Sequence, residues 1–160
     1  MQASEIMTRD PAWCTPDHTV RDAARLMQEH DCGCIPVVDE VHAKRLVGVV
    51  TDRDLACRCL AAGLGPDTTV AEVMSVSPSC CAPEDDVQYV ERIMEERQVR
   101  RVPVIDDRGC CVGMVSQADL VRAAERSAEV SDREVARMVE RVSAPLISAR
   151  RESEVGLRPQ

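Results

Sequence analysis

Apolar side chains recur at helical spacing in two stretches of the chain. Thr19 precedes the first stretch and Asp86 precedes the second, and both residue types are favourable helix N-caps. The apolar positions that follow are Val20, Ala23, Ala24 and Met27 in the first stretch and Val87, Val90 and Met94 in the second. Polar residues fill the intervening positions, so the pattern predicts two amphipathic helices.

Two short β-branched runs follow each predicted helix. The runs cover 35–38 and 46–50 in the first half and 102–105 and 112–115 in the second. Polar turns at 40–44 and 107–109 join the runs of each half into hairpins. Each second run ends at a hydroxyl residue, Thr51 or Ser116, after which the sequence predicts helices over 52–62 and 117–128.

The two halves repeat one sequence pattern. Segments 14–20 and 35–39 return 67 residues later, and segment 48–55 returns 65 residues later, because the first hairpin turn is two residues longer. Each copy, with a short first strand at 12–15 or 79–82, is predicted as strand-helix-strand-strand-helix. A copy of about sixty residues buries little surface alone, so we expect an α/β (α+β) fold in which two copies share one core.

The boundaries of the copies follow from the repeat. We expect the first copy over 1–64, the second over 69–128, a C-terminal helix over 131–145 and a disordered tail over 146–160. The C-terminal helix carries one apolar stripe, formed by Val135, Met138, Val139 and Val142. We expect this apolar stripe to pack against another surface, either the chain's own sheet or a second subunit.

The order of motifs in both copies resembles a tandem pair of CBS domains, a Bateman module. Each copy has a Met near its start, a Pro before the first helix, an apolar-Pro-Val-apolar-Asp strand, and then Gly-apolar-apolar-Thr/Ser-x-x-Asp-apolar. The match covers residues 3–128 and is similar to small stand-alone bacterial CBS-pair proteins. The resemblance implies a pseudo-twofold pair that binds AMP, ADP, ATP, NAD or S-adenosylmethionine in two clefts, needs no further cofactor, forms a homodimer and acts on an effector protein.

The matching residues have chemistry suited to such a ligand. A hydroxyl at a helix N-terminus is a natural phosphate site, and an Asp one turn later can accept hydrogen bonds from a ribose diol. The predicted first nucleotide site comprises Trp13, Cys14, Ile35, Pro36, Thr51, Arg53 and Asp54. The predicted second site comprises Cys80, Cys81, Arg100, Arg101, Val102, Pro103, Ser116 and Asp119.

Each of these assignments has a simpler alternative. The Thr/Ser-x-x-Asp pattern is also an ordinary capping motif, and Arg100 and Arg101 can equally be solvated. Trp13 can stack on the base or fill the first pocket. Two further functions therefore stay open: a ligand-free, stress-associated dimeric scaffold, and a redox or metal sensor that uses the cysteines.

Composition narrows the choice of function. The formal charge of −8 argues against nucleic-acid binding, and no apolar run is long enough to span a membrane. The N-terminus lacks the apolar core of a signal peptide, so we expect a cytoplasmic protein. Nine cysteines, an odd number, are expected mostly as core residues. His18, His30 and His42 have no partner for catalysis nearby in sequence, so we expect a binding protein and not an enzyme.

Overall fold

A computed structural model describes residues 1–39, 44–126 and 132–143. The first copy contains α1 (Ala3–Ile6), β1 (Thr8–Arg9), α2 (Val20–Glu29), β2 (Cys34–Asp39), β3 (Arg45–Thr51) and α3 (Asp52–Asp54), which continues as a π-helix over Leu55–Leu60. The second contains α4 (Val70–Val73), β4 (Ser75–Val76), α5 (Val87–Arg97), β5 (Arg101–Ile105), β6 (Cys111–Ser116) and α6 (Gln117–Arg126), and α7 (Asp132–Ser143) follows it. The predicted residues 40–43, 127–128, 131, 144–145 and 146–160 lie outside the described part.

The two copies exchange their N-terminal segments. One antiparallel sheet has the strand order β2-β3-β4 and the other β1-β6-β5. Strand β1 belongs to the N-terminal segment of the first copy but pairs with β6 of the second, through Thr8 opposite Met114. Strand β4 makes the reciprocal exchange, through Val76 opposite Gly48. The predicted first strands at 12–15 and 79–82 are reduced to isolated bridges at Cys14 and Cys81.

Two equivalent glycines allow each exchanged strand to approach. A Cβ atom on Gly48 would lie 2.8 Å from the carbonyl oxygen of Ser75, beside β4. A Cβ atom on Gly113 would meet the Met7 side chain and lie 3.2 Å from the Thr8 carbonyl oxygen, beside β1. Only glycine leaves room for this close backbone contact.

The core that the copies share consists of two apolar clusters. Ala3 from the N-terminal segment packs with Val90, Met94 and other side chains of the second copy. Val70 and Val73, from the N-terminal segment of the second copy, pack with Met27 and its neighbours in the first. Each cluster therefore needs both copies, which explains why neither half is expected to fold alone.

Candidate functional site

The first strand-to-helix junction is closed by reciprocal hydrogen bonds between Thr51 and Asp54. The Thr51 hydroxyl and backbone N–H donate to Asp54 Oδ2 over 2.7 and 2.9 Å, and the Asp54 N–H donates to Thr51 Oγ1 over 3.1 Å. The other carboxylate oxygen, Oδ1, faces Arg58 Nε at 3.4 Å. The predicted pair is thus a capping box whose second carboxylate oxygen faces an arginine.

The second junction has the same geometry. The Ser116 hydroxyl and N–H donate to Asp119 Oδ2 over 2.6 and 2.8 Å, and the Asp119 N–H donates to Ser116 Oγ over 3.2 Å. Asp119 is buried, with 9% of the residue exposed, and its Oδ1 accepts a 2.6 Å hydrogen bond from Arg122. Sequence reasoning missed both arginines, although an Asp and an Arg three or four residues apart on a helix are a recognisable signal.

Strand pairing places an unpredicted residue opposite the first junction and a predicted one opposite the second. Thr51 lies opposite Cys34 in the sheet, and Ser116 lies opposite Arg101. The Gln117 N–H donates to the carbonyl oxygen of Arg100 over 2.9 Å. Arg100 and Arg101 are therefore adjacent to Ser116, with Arg100 exposed and Arg101 half-buried.

Charged residues of both copies act on the thiol of Cys34, which lies opposite Thr51 in the sheet. Burial raises the pKa of the Cys34 thiol to about 12; the positive charge of Arg101 opposes this shift, and Asp54 and Asp52 add to it. Because Cys34 begins β2 of the first copy and Arg101 begins β5 of the second, the two strand starts interact electrostatically across the boundary between the copies.

Most of the predicted apolar wall residues lie beneath the surface. The Cys14 N–H donates to the Pro36 carbonyl oxygen over 3.1 Å, and the Cys81 N–H donates to the Pro103 carbonyl oxygen over 3.1 Å. The buried wall residues are Cys14, Ile35, Pro36, Cys81, Val102 and Pro103. These residues lie beneath the junctions, whose Thr51, Asp54 and Ser116 are half-buried.

Trp13 and Cys80 lie against other groups. The Trp13 ring centroid is 5.4 Å from Lys44 Nζ, which also contacts Asp10 Oδ1 at 3.1 Å. Cys80 lines a cavity of about 290 Å³ beside α5, and neither Ser116 nor Asp119 is part of its lining. Arg53 is exposed at the first junction.

A larger cavity of about 560 Å³ is lined by none of the predicted site residues. Its polar lining includes Arg9, Asp10, Lys44 and Asp106. It forms where the N-terminal segment meets the hairpin turns, which contact each other through a 3.1 Å bond from the Cys111 N–H to the Lys44 carbonyl oxygen. The periodic spacing of apolar residues could not predict this cavity, because the cavity depends on the exchange of the N-terminal segment.

The cysteines offer little support for redox or metal chemistry. All nine are free, and burial raises the thiol pKa of Cys14 and Cys81 to about 12 and that of Cys111 to about 11. A raised pKa reduces the thiolate that reacts or binds metal. Within residues 1–39, 44–126 and 132–143, no three histidine, cysteine or acidic side chains form a group that could hold a metal ion.

A family model for the CBS domain matches residues 3–59 and 70–126. Hypoxic response protein 1 of Mycobacterium tuberculosis is 41% identical over 111 residues, which cover 68% of this chain and 76% of the relative. No helix in the described part of the chain is long and apolar enough to cross a membrane.

Three solved structures share the fold. Hypoxic Response Protein I with two coordinated zinc ions is 37% identical, with a TM-score of 0.69 over 76% of this chain and 98% of that one. The CBS domain pair of protein MJ0100, in complex with 5-methylthioadenosine and S-adenosyl-L-methionine, is 26% identical, with a TM-score of 0.72 over 79% and 97%. CBSX2 in complex with AMP is 27% identical, with a TM-score of 0.67 over 78% and 96%.

Proposed function

The chain belongs to the CBS-domain family, and we propose that it is a regulatory module that binds an adenosine-containing ligand at its two strand-to-helix junctions. The observation that carries the proposal is the duplicated junction: Thr51 with Asp54 and Ser116 with Asp119 adopt the same hydrogen-bonded geometry. Similar CBS pairs hold AMP or S-adenosyl-L-methionine, which supports the ligand class.

The residues at each junction have complementary roles in this proposal. The hydroxyl and the helix N-terminus receive a phosphate or another polar group of the ligand, and the carboxylate receives the ribose diol. Oδ2 of each aspartate already accepts two bonds from its capping partner. The ribose hydroxyls therefore either share Oδ1 with the neighbouring arginine or displace that arginine from Oδ1. Arg53, Arg100 and Arg101 supply positive charge for an anionic ligand.

The regulatory step requires that the ligand prefer one arrangement of the copies over another. Because Cys34 and Arg101, which lie opposite the two junctions, interact electrostatically across the boundary between the copies, a charged ligand at either junction changes the interactions there. We propose that the chain acts as a homodimer and that an effector protein recognises the ligand-bound arrangement. No catalytic step is part of the proposal.

Thermal unfolding with AMP, ADP, ATP, NAD and S-adenosylmethionine tests the ligand class. A ligand at about 100 times its Kd stabilises a protein by about 2.7 kcal/mol. For a chain of this size, that raises the midpoint by roughly 5–10 °C. We expect a shift of this size with at least one compound, and a smaller shift in Asp54→Asn or Asp119→Asn.

The capping box of α2 provides a matched control. Thr19 and Asp22 form the same contacts, with a hydroxyl bond of 2.7 Å, but belong to neither predicted site. Asp22→Asn should lower stability as the junction variants do and keep the full ligand-induced shift. Equal loss of the shift in all three variants, or no shift with any compound, would overturn the proposal.

A further inference from the structure

Helix α7 lies outside the two segments that match the family model, yet it packs on the second copy. It contacts α5 and α6. Gln98 Nε2 donates to the Arg141 carbonyl oxygen over 3.1 Å, and Gln117 Nε2 reaches the Val139 carbonyl oxygen at 3.5 Å. Arg141 belongs to the last turn, where helix carbonyls lack intrahelical partners, so the second copy supplies a cap for the end of α7.

An ion pair adds to this contact. Arg141 Nη1 lies 3.2 Å from Glu95 Oε2, and the Glu95 side chain is 21% exposed. Gln98, which ends α5, adopts a left-handed backbone with φ of 53°. Its side chain also donates to the Glu95 carbonyl oxygen over 2.8 Å. Glu95, Gln98 and Gln117 thus form one docking surface for α7, which we call the α7 dock.

The first copy has no equivalent of the α7 dock. The residues at the equivalent positions are Gln28, Asp31 and Asp52 in place of Glu95, Gln98 and Gln117. An ionised aspartate accepts hydrogen bonds but cannot donate them, so Asp31 and Asp52 cannot cap helix carbonyls. Gln28 offers no charge to an arginine. The sequence therefore directs α7 to the second copy.

The α7 dock includes the residue that follows Ser116. Gln117 is the first residue of α6, and its side chain points to the C-terminal turn of α7. A helix C-terminus carries partial negative charge, whereas a helix N-terminus attracts anions. A ligand phosphate at Ser116 would therefore face an unfavourable charge and compete for the Gln117 amide while α7 is docked.

From this juxtaposition we propose that α7 is an autoinhibitory element of the second nucleotide site: it docks on Glu95, Gln98 and Gln117 when the site is empty, and a bound ligand releases it. The inference rests on the proposed function of the junctions. It makes the two sites unequal, because α7 opposes ligand binding only at the second. Release of α7 would give an effector protein a signal of occupancy.

Charge reversal in the full-length chain tests the inference. In an Asp54→Asn background, which confines binding to the second site, Arg141→Glu should tighten AMP binding roughly fivefold, equivalent to about 1 kcal/mol. The double change Glu95→Arg and Arg141→Glu should restore the original Kd. Arg137→Glu, an exposed residue on the same helix, makes the same change in net charge and should leave the Kd unchanged.

Hydrogen exchange supplies a second readout. AMP should accelerate amide exchange over 132–143 in the wild-type chain, whereas a purely structural helix would exchange at the same rate or more slowly. If AMP binds with equal affinity to all variants and leaves this exchange unchanged, the inference is wrong and the proposed function stands. If none of AMP, ADP, ATP, NAD and S-adenosylmethionine binds to any variant, including Arg141→Glu, both are wrong.

Discussion

The two junctions share a capping box but differ in the arginine that faces the carboxylate. In the first copy, Arg58 also donates to the carbonyl oxygens of Val73 and Met74, over 3.0 and 3.3 Å, and to the Ser75 hydroxyl over 3.2 Å. Arg58 therefore ties the first junction to the exchanged segment. In the second copy, Arg122 contacts Asp119 at 2.6 Å, and its side chain is 60% exposed.

This difference shows which features the duplication has kept equivalent. The backbone geometry and the hydroxyl-carboxylate bonds are the same, so both junctions retain the chemistry that a ligand needs. The surroundings have diverged: the first junction is anchored to α4 and β4, and the second lies beside α7. We expect the first site to be the more rigid and the second to be the more easily regulated.

The largest expected difference between the copies concerns the equivalent glycines. Gly48→Ala places Cβ against a backbone carbonyl oxygen, which cannot move alone, and should lower the free energy of unfolding by about 2–3 kcal/mol. Gly113→Ala meets mainly the flexible Met7 side chain and should cost about 1 kcal/mol. Urea unfolding measures both values.

Gly65→Ala is the control for the glycine pair, because nothing lies within 4 Å of a Cβ atom there. Its free energy of unfolding should stay close to that of the wild type. Equal losses for Gly48→Ala and Gly113→Ala would show that the two exchanged strands are held equally tightly, and the expected difference between the copies would then be wrong.

Replacing Arg58 or Arg122 should give a smaller difference between the copies in the free energy of unfolding. Arg58→Ala removes hydrogen bonds to the exchanged segment as well as the ion pair, and should cost about 1 kcal/mol. Arg122→Ala removes one ion pair, in which the arginine is 60% exposed and Asp119 keeps its two bonds from Ser116, and should cost less, about 0.5 kcal/mol. Thermal unfolding of the two variants side by side checks the order, and a larger loss for Arg122→Ala would reverse the comparison.

The smallest expected effect is on the pH dependence of stability, through the capping box that Thr19 and Asp22 form at the start of α2. Hydrogen bonds from Thr19 lower the pKa of Asp22 below its ordinary value of 3.8. A lowered pKa in the folded state means that the ionised carboxylate stabilises the fold above pH 3.8, and that this stabilisation is lost as the pH falls further. Asp22→Asn should therefore weaken the decline of stability below pH 3.8, as measured by urea unfolding from pH 5 to pH 2.5. An unchanged decline would contradict this.

The elements of each copy could be predicted because they depend on local patterns. The spacing of apolar residues after Thr19 and Asp86 predicts α2 and α5. The two hairpins are also confirmed, with strands that extend one residue beyond the predicted runs at most ends. The exchange of β1 and β4 was not predicted. Two-residue strands such as Ser75–Val76 carry no periodicity, and the choice of a partner sheet depends on distant side chains.

The site could be predicted in part. The bonds of Thr51 with Asp54 and of Ser116 with Asp119 follow from their spacing, and the capping and ligand-binding hypotheses involve the same atoms. That shared geometry is why sequence alone cannot separate them. For α7, the sequence allows either the chain's own sheet or a second subunit as its cover. The structure places α7 on helices α5 and α6, through amide donors that a search for apolar stripes overlooks.

The decisive experiment is a crystal structure of the chain grown with the compound that gives the largest thermal shift. We expect the ligand at one or both junctions, with its ribose hydroxyls within hydrogen-bond distance of Asp54 or Asp119 and its polar end at Thr51 or Ser116. A ligand bound instead in the 560 Å³ cavity beside Arg9 and Lys44, with both junctions unoccupied, would show that the junctions are capping motifs and not nucleotide sites.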